Sequence, residues 1–177
     1  MLDCLLRYIQ LARLSNEIKY PDMEITAALI GAIQVMMVSD PMSVATSPEK
    51  QKMMRDTFEY SSNRGAQTLW SIGRELLDLT NKVFEKAFAD RVLRMQASQE
   101  KKQRSISFLR SNALLSLAKF IQLLYAVQCC YGDNQGPLLK VEGGESCCAS
   151  LTTEMVLPLA KYGGPTHSKV VADSMSW

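Results

Sequence analysis

The chain has 177 residues, 47% hydrophobic and 21% charged, with a formal net charge of +2. That balance excludes a disordered chain and leaves room for one domain or two small helical lobes. The five cysteines are Cys4 and the vicinal pairs Cys129-Cys130 and Cys147-Cys148, a poor disulfide framework. Reduced thiols in a cytosolic or nuclear compartment are therefore expected, with the cytoplasm the location favoured.

Leu2, Leu5, Leu6, Ile9 and Ala12 recur at helical spacing and predict a first helix over residues 2–18. Leu11, Leu14 and Ile18 widen its apolar stripe. Pro21-Asp22 opens a second helix, with proline in the first turn and an acid near the positive end of the dipole. Ile25, Leu29, Ile33 and Met36 are expected to line its inner face, flanked by Ala28, Ala32 and Met37. Asp40-Pro41 ends it, because the residue before proline avoids the α region.

Ser47-Pro48-Glu49 is the clearest helix start: a cap, a proline at the first helical position and an acid in the first turn. This third helix carries Met53, Met54, Thr57 and Phe58 and is expected to stop at Asn63-Arg64-Gly65. A fourth is predicted over residues 66–95, faced by Leu69, Ile72, Leu76, Val83 and Ala87. Asp78 with Lys82, and Asp90 with Arg94, are favourable i,i+4 pairs on it.

Residues 97–105 are polar, either a bend between lobes or an exposed turn of one long helix. A fifth helix follows over residues 105–128, with Ile106, Leu109, Ala113, Leu117, Ile121 and Leu124 inward. Leu114, Phe120, Leu123 and Val127 make it apolar nearly all round, which predicts a central position. Its most apolar run, Ala113 to Val127, is 15 residues and contains Lys119. A bilayer span needs roughly 20 residues, so no membrane span is expected. Beyond it, Gly132 to Pro137 and Gly143-Gly144 read as loops around a short strand or turn at residues 138–142. A last helix over 150–162, shortened or kinked by Pro158, stops at Gly163-Gly164. The fold class is all-α, a bundle of about five to seven helices. Its expected parts are an N-terminal lobe (1–96), a C-terminal lobe (97–164) and a loose tail (165–177).

The chemistry-bearing patterns are sparse. There is no Gly-x-x-x-x-Gly-Lys-Ser/Thr loop, no Gly-x-Gly-x-x-Gly after a strand and no Gly-x-Ser-x-Gly elbow. His167, the sole histidine, lies in a Gly/Pro/Ser-rich stretch with nothing to orient it toward Cys147 or Cys148. Zinc sites favour Cys-x₂₋₄-Cys spacing, and adjacent cysteines chelate one ion poorly. Glu142, Glu145 and Glu154 fall in the irregular tail. The expectation is a non-enzymatic protein with no cofactor and no metal.

One feature rises above this background. Residues 1–90 hold 10 Lys/Arg and 12 Asp/Glu, residues 91–110 hold 6 and 1, and residues 111–177 hold 4 and 5. The whole positive excess sits in Arg91, Arg94, Lys101, Lys102, Arg104 and Arg110. On a continuous helix the first three and Lys102 span an arc of about 100°, with Arg104 about 60° beyond it and Arg110 on another side. Such a face neutralises backbone phosphates, and Ser98, Gln99, Gln103, Ser105 and Ser107 add neutral hydrogen-bonding groups. Phe108 is the only aromatic in the window, so base stacking is not the expected mode.

The sharpest reading is a homo-oligomer that binds RNA through this basic face, largely independent of sequence. Repetition of the face around an oligomer would raise its avidity. The alternative is a protein–protein adaptor or scaffold with no nucleic acid. No residue motif carries a family assignment. In size, helical content and lack of motifs the chain is similar to small viral accessory factors, such as RNA-silencing suppressors, at the level of class alone.

Overall fold

Five helices stand out among the described residues, residues 48–49, 52, 89–90 and 94 are helical as well, and no described residue is in a strand, so the fold is all-α. The five are α1 (Leu2–Leu14), α2 (Tyr20–Met37), α3 (Arg64–Phe84), α4 (Gln99–Cys129) and α5 (Gly144–Tyr162). The computed structural model describes residues 2–14, 20–37, 47–49, 52, 64–85, 89–90, 94, 99–129 and 144–164.

The centre is α4, whose 31 residues make a rod about 46 Å long. Leu109, Ala113, Leu117, Phe120, Ile121, Leu124 and Val127 are all buried, with Leu114, Ala118 and Leu123 buried on other sides. A helix this apolar needs neighbours on several faces. It has them: α2, α3 and α5 all pack on α4, while α1 packs on α3 and α2. One cluster of buried side chains draws on all five helices, from Leu5 and Ile9 through Ile30, Leu76 and Phe120 to Met155 and Leu159.

The outer helices differ in how sharply they are patterned. On α3, Leu69, Ile72, Leu76, Leu79 and Val83 are buried, and Arg74, Asp78 and Asn81 on the opposite side are exposed. Two hydroxyls caught inside are satisfied along their own helices. Thr80 Oγ1 donates to the Leu76 carbonyl at 2.8 Å, and Ser116 Oγ donates to the Asn112 carbonyl at 2.8 Å. Between helices, Thr68 Oγ1 donates to Asp3 Oδ1 at 3.4 Å, joining α3 to α1.

Several expectations are corrected. On α2, Thr26, Ala27 and Ile30 are buried, whereas Ile25 and Leu29, expected inside, are exposed. The helix is apolar almost all round, so periodicity could not choose its inner side. Packing on α4 chose the side that carries Thr26, Ala27 and Ile30, and at its flank the end of the Lys119 side chain reaches Gly31. A Cβ placed on Gly31 would lie 2.7 Å from Lys119 Nζ. The helix expected over 66–95 is interrupted: α3 ends at Phe84, Glu85 is a bend, and Ala89, Asp90 and Arg94 are helical again. Gly65 stands in its first turn rather than ending the helix before it. The central helix begins at Gln99, six residues before its expected start, and the last helix begins at Gly144 rather than Ser150. Pro158 is carried inside that helix, and the Gly163 N–H closes its end by donating to the Leu159 carbonyl at 2.8 Å.

Pro48 and Glu49 are helical and Ser47 stands just outside, in keeping with the capping signal. Met53, Met54, Thr57 and Phe58, residues 97–98, the segment 138–142 and the tail 165–177 lie outside the described residues.

Candidate nucleic-acid interface

Starting α4 at Gln99 changes the setting of the basic window. Lys101, Lys102 and Arg104 fall within the first two turns of a helix. Unpaired backbone N–H groups and the positive end of the dipole gather there. Basic residues at that end oppose the dipole, and a bound anion relieves the conflict.

The exposed side of these turns has a definite composition. Arg104, Ser107, Phe108 and Ser111 are all exposed and recur at spacings of three and four, so they form one stripe along α4. Lys101 shares that register, three residues before Arg104 and seven before Phe108. Lys102 stands in a different register, seven residues before the buried Leu109. The stripe offers a guanidinium, two hydroxyls and an aromatic face. Those are the groups that hold phosphate oxygens and stack on bases.

The other basic residues are placed differently. Arg94 is exposed, and its Nε donates to the Asp90 carbonyl at 3.3 Å, so the contact with Asp90 is made to the backbone. Arg91 lies outside the described residues. Arg110 is half-buried and points the other way. Its guanidinium sits over the Phe84 ring, 5.2 Å from the centroid, and its Nε is buried without a hydrogen-bond acceptor.

In the sequence Phe108 stands as an isolated aromatic. Its exposure, 42%, and its position four residues after Arg104 put it on the same stripe. The i,i+4 spacing was visible in the sequence. The exposure was not, because Phe108 precedes Leu109, and either could have faced inward.

A second concave feature lies between α3 and α5. Leu77, Asn81, Glu154, Leu157, Pro158, Lys161 and Tyr162 line an open groove of about 540 Å³. Leu157 on its rim is 61% exposed. Among the described residues no group of three or more His, Cys, Asp or Glu side chains is arranged to hold a metal ion. No described helix is long and apolar enough to cross a membrane. Compared with known protein families, characterised proteins and solved structures, the chain matches none.

Proposed function

We propose that this protein is a non-enzymatic, oligomeric helical factor that binds RNA through the start of α4. The observation that supports the reading best is the exposed stripe of Arg104, Ser107, Phe108 and Ser111 in the most basic segment of the chain. Lys101 and Arg104 are assigned to phosphate contacts, with Arg94 and Lys102 adding charge from neighbouring turns. Phe108 is assigned to a base or the edge of a duplex end. Recognition through phosphates carries little sequence information, so binding is expected across RNA sequences. Holding short duplexes, the work of a silencing suppressor, is one use that such an array of basic stripes would serve.

The test is light scattering after size exclusion on nuclease-treated protein, with and without a short RNA duplex, at low and near-physiological salt. Uptake of RNA at low salt and release as salt rises is the expected result. A particle that ignores RNA at both salts sinks the reading.

The groove between α3 and α5 favours a second reading, a protein adaptor. Its apolar rim, with Leu157 exposed, suits the side chain of a partner peptide. Under that reading Leu157→Glu abolishes capture of a partner, whereas substitutions on the α4 stripe have no effect.

A further inference from the structure

The outer side of α2 is apolar and faces water. Ile25 and Leu29 are 44% and 38% exposed, and Ala28 and Ala32 are exposed between and beyond them. These four positions, spaced three, one and three residues apart, make one stripe on the helix. No charge interrupts it. The charges stand at its border. Glu24 is exposed one turn before Ala28, and the Lys119 ammonium reaches from α4 to lie beside Gly31.

Glu24 and Gly31 are seven residues apart, so they fall on the same flank of α2 to within about 20°. That places an acid near one end of the flank and a cation near the other. A symmetric antiparallel pair of helices brings opposite ends of one flank together. With the twofold axis between Ala28 and Leu29, Ile25 of one protomer packs over Ala32 of its partner, and Leu29 packs over Ala28. Large side chains then meet small ones, which permits the close approach of two helices. The same operation sets each Glu24 within one helical turn of the other protomer's Gly31, hence beside its Lys119. The contact forms twice.

We infer that α2 is the self-association surface of this protein, and that its occupant is α2 of a second copy in this antiparallel register. A foreign partner would require no such agreement between the two ends of one flank, whereas a second copy does. The inference deepens the oligomeric part of the proposed function, and it is measured without RNA. One helix face lies at the small end of stable interfaces, so the dimer is expected to depend on concentration.

The test is the mass in solution of the nuclease-treated full chain, by light scattering and sedimentation, at concentrations up to roughly 100 µM, where even a weak dimer is populated. Wild type is expected to reach a dimer or a multiple of it. Ala28→Arg, at an exposed position, is expected to keep its helical circular dichroism and at least halve the mass. Glu24→Lys is expected to weaken association about tenfold, and adding Lys119→Glu to recover most of that loss. A monomeric wild type, an unchanged mass for Ala28→Arg, or a double variant no better than Glu24→Lys overturns the inference. A dimer that ignores RNA leaves it standing and removes the RNA reading alone.

Discussion

The guanidinium of Arg110 lies over the Phe84 ring, its Cζ 5.2 Å from the centroid. The other face of the packing is aromatic: Phe84 stacks on Tyr162 with centroids 4.1 Å apart and planes 14° from parallel. Lys161 Nζ lies 5.0 Å from the Tyr162 centroid. Residues of α4, α3 and α5 thus meet in one stack, where Phe84 ends α3 and Tyr162 ends α5. The attraction of the cation to the aromatic face offsets part of the cost of burying the Arg110 Nε without an acceptor.

Arg110 is therefore expected to act on stability. Arg110→Ala should cost about 1–2 kcal/mol, and Phe84→Ala, which removes the middle of the stack, about 2–3 kcal/mol. Urea denaturation reads both. RNA affinity per folded molecule should stay at the wild-type level for Arg110→Ala. A loss as large as that of an α4-stripe variant would put Arg110 on the interface.

Phe108 separates two modes of binding. Phe108→Ala should weaken single-stranded RNA by about 1–2 kcal/mol if a base stacks on the ring. It should leave a blunt duplex interior nearly unchanged, since stacked bases there are not offered. Parallel titrations with a single strand and with a long duplex check this. Equal losses on both would assign Phe108 to packing.

How much of this was legible in the sequence depended on the contrast within each helix. On α3, Leu69, Ile72, Leu76 and Val83 stand against Arg74, Asp78 and Asn81, and the inner face could be read directly. On α2 no such contrast exists. Ile25 and Leu29 are as hydrophobic as Ile30, and Ala28 and Ala32 outside are as small as Ala27 inside, so the packing on α4 and not the pattern selects the inner face. The early start of α4 was obscured because Gln99 to Arg104 carry no apolar residue to mark a period, although Gln, Glu, Lys and Arg all favour helix. The charge window was visible as composition. Its division into an exposed stripe with Arg104 and an inward Arg110 required the packing of Phe84 and Tyr162, which lie far from it in sequence.

Gly31 offers a test of the α2–α4 contact. A Cβ there meets only the end of the Lys119 side chain, which has the freedom to swing away. Gly31→Ala should therefore be neutral to about 1 kcal/mol more stable, because alanine favours helix by that amount. Gly31→Leu should destabilise by about 1–3 kcal/mol by wedging the helices apart. Thermal unfolding of the two variants is the check. Equal, mild effects would mean that the two helices do not approach closely at this point.

The core claim of an α4-centred bundle is tested by Phe120, buried completely at its middle. Phe120→Ala should cost about 3–5 kcal/mol, a large share of the stability of a small domain. Loss of cooperative unfolding is the expected readout. A change below about 1 kcal/mol would be that of a surface position.

The most direct test of the RNA assignment is a salt titration of duplex RNA binding, wild type against Lys101→Ala with Arg104→Ala, followed by fluorescence anisotropy. The logarithm of the binding constant should fall linearly with the logarithm of salt, and the double variant should flatten that slope by about 0.9 for each phosphate contact removed. Weaker binding with a flatter slope, repeated across unrelated RNA sequences, is the predicted result. An unchanged slope and affinity would contradict the account and leave the start of α4 as a solvated helix end.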